Sequence, residues 1–148
     1  MNNINNPIEQ AHPADVALGG RELSRRQQDL LDRLPEYGSQ AIFHKRDVSM
    51  LDLSAMTAKT GDEFAMFTRG SERMVVRGDK KRVPVYVDDA EKMRNEGYRW
   101  SGHTHAGISD ASLIVSNGDR RILVTFGQSN SVLYNAAGRR KIFTIKEE

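Results

Sequence analysis

The chain has 148 residues and a formal net charge of +2, with 38% hydrophobic and 28% charged side chains, as expected of one globular domain with its own core. It has no cysteine, which excludes disulfides, thiolate metal sites and a cysteine nucleophile, so any metal must be held by nitrogen and oxygen. No apolar run approaches the roughly 20 residues of a membrane helix, and the start, Met1-Asn-Asn-Ile-Asn-Asn-Pro, lacks the basic and apolar parts of a signal peptide. Membrane insertion is not expected. The expected location is the cytoplasm, or outside it by a signal-peptide-independent route or by excision from a larger polypeptide.

Residues 1–20 carry Asn, Pro, Gly and isolated apolar residues without period and read as a flexible lead-in to a single domain over 21–148. Ser24-Arg-Arg-Gln27 fits a capping box, and Leu30, Leu31 and Leu34 give one apolar face to a short helix ending at Pro35. Gln40–Lys45 alternates weakly and reads as a strand. A second helix begins at Ser49, uses Met50, Leu53 and Met56 for burial, and stops at Gly61. Residues 63–69 and 72–77, separated by Gly70-Ser71, form a predicted hairpin. Arg82–Val87 reads as another strand, with Pro84 marking an edge or an end. Asp88-Asp-Ala-Glu91 caps a helix closing at Gly97. Tyr98–His105 is a predicted strand, followed by a loop and a helix from Gly118 to about Gly127. Ser131–Asn135 and Lys141–Ile145 close the chain as a hairpin. Strands and helices alternate irregularly, so the class is α+β around a mixed sheet flanked by helices.

His103 and His105 stand two apart at the end of a strand, so both imidazoles lie on one face and can share an ion. Two histidines, one carboxylate and an open position make a catalytic rather than a structural Zn²⁺ site. Asp119 supplies the carboxylate, with Asp110 a rival nearer in sequence. Such a metal lowers the pKa of its water toward about 7. Glu63, with Glu72 as competitor, would accept that water's proton and pass it to a leaving amine. The Ser116 hydroxyl would hydrogen-bond the developing oxyanion. Ser116-Asn-Gly-Asp119 also reads as a plain capped helix start, and a capped first turn is a rigid mount for a ligand. His44 is a lone histidine without a partner motif. Trp100 belongs in the core rather than in a groove.

Taken in order, Glu63, His103-Thr-His105-Ala and Ser116-Asn-Gly-Asp119 resemble the signature of the JAMM metalloproteases, also called JAB or MPN+ domains. The resemblance covers roughly residues 49–145. The helix ahead of Glu63, the Gly70 hairpin and Tyr98-Arg-Trp-Ser-Gly entering the histidines are similar to that fold too. It implies a layered JAB/MPN-like sheet, resembling that of cytidine deaminases, and a zinc-dependent hydrolase cleaving a peptide or isopeptide amide. The segment Gly127-Gln-Ser-Asn-Ser-Val-Leu-Tyr-Asn-Ala-Ala-Gly is similar to JAB-like domains of phage-related proteins and of the C-termini of bacterial polymorphic toxins. That implies a toxin or effector role, a protein or peptide substrate and an immunity protein as partner. The chain departs from the pattern at Ala106, where the family usually has Pro, and in the ten residues between His105 and Ser116, a longer spacing than usual.

Two other classes compete. A JAB-like module that has lost catalysis would bind a partner protein instead. A metal-dependent nuclease toxin is suggested by the basic pI, but the basic residues are dispersed. The clusters Lys80-Lys-Arg82 and Arg139-Arg-Lys141 read as solvated turns flanking strands, so nucleic acid is the minority reading. A zinc deaminase is excluded for want of a His-x-Glu and a cysteine pair.

Overall fold

The structure is a computed structural model that describes residues 8–9 and 22–146. In chain order the elements are β1 (Ile8–Glu9), α1 (Arg25–Asp32), β2 (Gln40–His44), α2 (Met50–Thr60), β3 (Phe64–Arg69) and β4 (Glu72–Arg77). Then come β5 (Arg82–Val83), α3 (Val87–Asn95), β6 (Arg99–His105), a 3₁₀ turn at Asp110–Leu113, α4 (Asn117–Phe126), β7 (Asn130–Asn135) and β8 (Arg140–Thr144). This is the α+β class with a mixed, open, six-stranded sheet ordered β2-β4-β3-β6-β7-β8, and a separate two-stranded pair, β1-β5. Among the described strands only β6 and β7 run parallel. The turn and α4 form the crossover between them, as a parallel pair requires. Among the described residues no helix is long and apolar enough to cross a membrane.

Local chemistry sets the helix boundaries. Ser24, Ser49 and Ser116 each cap a helix by accepting the N3 backbone N–H. Each N3 side chain in turn accepts from the cap's own N–H, which satisfies two of the donors a helix start leaves orphaned. Gly61 closes α2 at φ +79°, a left-handed turn that costs a residue without Cβ little.

The sheet has a core on either side. Leu30, Leu34, Phe43, Leu53, Met56, Phe64 and Val75 pack beneath α1 and α2. Ala65, Phe67, Trp100, Ile122, Leu123, Phe126, Leu133 and Phe143 pack on the opposite side, under α3 and α4. Strand alternation explains the split: Phe64 and Met66 face α2, Ala65 and Phe67 face α4.

Three expectations change. The lead-in is not structureless throughout: Ile8 and Glu9 pair antiparallel with Val83 and Arg82, and Ile8 is fully buried. The remainder of residues 1–21 lies outside the described residues. The strand expected over 82–87 stops at Val83 and Val87 already belongs to α3, because Pro84 has no N–H to continue a ladder. The α3 start is held from within: the Asp89 carboxylate accepts from the Tyr86 N–H at 3.0 Å. Part of the loop after His105 is a 3₁₀ turn, begun by Ser109, whose hydroxyl accepts from Ala111 N–H.

Candidate metal centre

β6 lies in the middle of the sheet, antiparallel to β3 and parallel to β7. Its alternation turns Gly102 and Thr104 toward α2, where the Met50 thioether lies 3.1 Å from the Cβ position of Gly102 and Thr104 hydrogen-bonds Thr57 at 2.6 Å. His103 and His105 face the other way, under α4. The crossover brings α4 over that face, and its first turn presents Asp119. Asp119 Oδ2 stands 3.2 Å from His103 Nε2 and 3.4 Å from His105 Nε2. All three side chains are fully buried, and one ligand atom from each lies within 4.8 Å of the others. The three can together hold a metal ion.

The hydrogen bonding around them favours a cation. His105 Nδ1 meets the Ser112 carbonyl at 2.7 Å, and a carbonyl only accepts, so that nitrogen carries the proton. Nε2 then faces the Asp119 carboxylate oxygen at 3.4 Å. A positive charge there, on the ring or on an ion between the two groups, suits that arrangement. The bond from the second ring nitrogen to a carbonyl is also the usual way a protein orients a metal-binding histidine.

Burial and neighbouring groups pull His103 and Asp119 in opposite directions. Burial pushes the His103 imidazole toward the neutral form, more strongly than Asp119 pulls it back. Burial also pushes Asp119 upward, but the two imidazoles outweigh it and hold the carboxyl well below the usual carboxylate range. A neutral imidazole and an ionised carboxylate are the forms that ligate. The His103 ring is seated between Trp100, 4.9 Å away centroid to centroid, and the edge of Phe143 at 5.6 Å. Its Nδ1 has no hydrogen-bond partner.

Trp100 reaches this position through a bulge. It lies three positions before His103, so simple alternation places the two on opposite faces. The register of β3 against β6 shifts between Met66 and Phe67, pairing Ala65 with His103 but Phe67 with Trp100. The extra residue, Ser101, brings Trp100 round to the histidine face. Trp100 is in the core, as expected, at 1% exposure.

Glu63 is fully buried and immediately precedes β3. Counting two residues back from Ala65 and two forward from His103 puts Glu63 level with His105, on the α4 face. Its backbone is fixed on both sides: its N–H donates to Asp79 O at 2.8 Å and its carbonyl accepts from Gly78 N–H at 2.7 Å. Gly78 is required there, since a Cβ would lie 2.0 Å from the Arg82 carbonyl oxygen. Ser116 is half-buried, and its hydroxyl oxygen accepts the Asp119 N–H at 3.0 Å, a bond that leaves the hydroxyl proton uncommitted.

Asp110 is not part of the cluster: its side chain is 76% exposed and bonds Arg139 at 2.6 Å. Glu72 lies at the far end of the β3–β4 hairpin, paired with Arg69 at 2.9 Å and accepting from the Tyr98 hydroxyl at 3.0 Å. His44 is half-buried in β2 and accepts from Arg46 N–H at 3.1 Å. Ser112 was not anticipated, because it acts through its carbonyl and a backbone group leaves no side-chain signature in a sequence. Comparison with protein-family models, with curated proteins and with solved structures gave no match.

Proposed function

We propose that this chain is a zinc-dependent hydrolase of the JAMM type, with a JAB/MPN-like fold, that cleaves a peptide or isopeptide amide bond. The observation that carries the reading is the buried convergence of His103, His105 and Asp119, with His105 Nδ1 on the Ser112 carbonyl and its Nε2 turned toward the carboxylate. Two imidazoles and one carboxylate suit a borderline ion such as Zn²⁺ better than a hard, all-oxygen cation. Bound there with an open position, zinc supplies Lewis acidity and brings the pKa of a water toward about 7.

The remaining roles belong to the chain itself. Glu63 takes a proton from the attacking water and returns it to the leaving amine. Ser116 donates its hydroxyl proton to the oxygen of the attacked carbonyl as charge develops there. The Ser112 carbonyl holds His105 in one tautomer, and the capping box holds Asp119 in one rotamer. Ser116 is the member of this set with solvent access, which supports a mouth of the site at the start of α4. Use as a toxin or effector, with an immunity protein as partner, goes with the same family reading.

A second reading is favoured by one specific observation: Glu63, His103, His105 and Asp119 are all at zero exposure. A closed site of this kind suits a metal that clasps α4 to the sheet in an interaction module without catalysis. The two readings share the metal and differ in turnover.

The test is zinc content by plasma emission spectrometry on protein purified without tag or chelator, beside His105→Ala, followed by an amide-hydrolysis assay. About one zinc per chain in the wild type and none in the variant is expected. No zinc, even after add-back, overturns both readings, whereas zinc without hydrolysis leaves only the second.

A further inference from the structure

The C-terminal part of the chain is far more basic than the whole. Residues 111–146 contain Arg120, Arg121, Arg139, Arg140, Lys141 and Lys146 against a single acid, the buried Asp119; only Glu147-Glu148, outside the described residues, add acid after it. Most of these cations gather around β8, the last strand of the sheet. Arg139 is engaged by Asp110, but Lys141 and Lys146 have no carboxylate partner among the described residues.

β8 is also an open edge. Its backbone bonds β7 on one side, and among the described residues nothing bonds its other side. The opposite edge, β2, differs: the Ile42 carbonyl accepts from Arg33 at 3.1 Å, and the same guanidinium lies 4.3 Å over the Phe43 ring. The end of α1 therefore covers part of one edge of the sheet, and among the described residues nothing does so at the other.

Beside β8 lies a shallow cleft of about 10 Å³ lined by Val115, Arg120, Lys141, Phe143, Thr144 and Lys146. Its Phe143 is the ring whose edge meets His103, so one phenyl group separates cleft and histidine. Arg120 follows Asp119 directly, and Val115 precedes Ser116. Cations on an edge strand also discourage edge-to-edge aggregation. Two lysines with no carboxylate partner among the described residues, set beside the Phe143 ring, go further, because they complement acidic side chains along an added strand.

We propose that the β8 edge and this cleft bind an acidic peptide segment in extended form. Its main chain adds a strand to the sheet, and its carboxylates meet Lys141 and Lys146. The binding does not depend on the hydrolase reading. Where that reading holds, this is where the acidic flank of the substrate lies. A nucleic acid fits less well: the charge is a short stripe along one edge on a chain of net +2, and an edge strand offers backbone hydrogen bonds in peptide register.

The test uses the full chain with two fluorescent ten-residue peptides of alternating threonine and glutamate, or threonine and lysine. Anisotropy at low and moderate salt is read for the wild type, Lys141→Glu and the exposed Lys146→Glu. Binding of the glutamate peptide alone is expected, weakened about tenfold by each substitution and by salt. Amide shifts in a ¹⁵N spectrum should gather on β8. A folded Lys146→Glu with unchanged affinity, equal binding of the lysine peptide, or shifts located elsewhere overturns the proposal. So does a short single-stranded oligonucleotide that displaces the glutamate peptide at lower concentration.

Discussion

Helices α2 and α4 begin with the same device. Ser49 and Asp52 form a capping box at one, Ser116 and Asp119 at the other, with the aspartate at N3 in both. Both carboxylates are buried, and burial pushes both upward in pKa, yet both end below the usual carboxylate range because their partners outweigh it. The partners differ. Asp52 receives two hydrogen bonds from the Arg26 guanidinium, at 2.7 and 2.8 Å, and a third from Gln27 at 3.0 Å. Its charge is neutralised by the protein, and it ties α1 to α2. Asp119 Oδ2 instead faces two imidazole nitrogens, His103 Nε2 at 3.2 Å and His105 Nε2 at 3.4 Å. An identical local motif thus makes a structural joint in one place and, in the other, part of a cluster that could hold a metal ion.

The largest expected effect separates the two directly. Zinc at about a thousand times its dissociation constant should raise unfolding stability by roughly 4 kcal/mol, since an ion that binds only the folded state stabilises it by mass action. Asp119→Asn should remove that gain and Asp52→Asn should keep it, as read from urea unfolding with and without zinc. Equal gains in both variants would break the contrast between the two helix starts.

Glu63→Gln comes next. It removes a base but no ligand, so zinc content should stay near one per chain while turnover falls by on the order of 10² or more. Retained zinc with unimpaired amide hydrolysis would eliminate Glu63 as the base. Retained zinc with no turnover even in the wild type favours the clasp reading.

A smaller and more symmetrical pair follows. Ser49→Ala and Ser116→Ala each delete a helix cap, and each should cost about 1 kcal/mol of stability. Only Ser116→Ala should also slow turnover at constant zinc, because only that hydroxyl stands at the mouth of the site. Equal stability losses with no kinetic difference would make Ser116 a cap and nothing more.

The sequence carried the local parts of this comparison well. The caps at Ser24, Ser49 and Ser116, the stop at Gly61 and the turn at Gly70 are written in residues adjacent to the events they cause. His103 and His105 were legible because alternation along one strand is enough to put them on one face. Other features depend on groups distant in the chain. Asp119 and Asp110 could not be separated until the crossover set α4 against β6. The Ser112 carbonyl has no residue-type signal. Trp100 was assigned correctly to the core, but its contact with His103 depends on a one-residue bulge that alternation hides. Ile8 was read as part of a loose lead-in because two residues of strand have no period to detect.

The smallest effect concerns pH and completes the comparison from the side of α2. A carboxyl whose pKa is lower in the folded than in the unfolded chain stabilises the fold while ionised. For Asp52 that contribution is fully present above the unfolded value of about 3.9, and it is lost as pH falls through the lower folded value. The stability gap between wild type and Asp52→Asn, both without zinc, should therefore be widest near neutrality and close below about pH 4. Half of the Arg26 side chain is exposed, so added salt should narrow the neutral-pH gap without abolishing it. A gap that persisted unchanged into strong acid would mean that Asp52 acts through the shape of its hydrogen bonds rather than its charge. The two helix starts would then differ in kind, one holding a polar joint and the other a carboxylate set against two imidazoles.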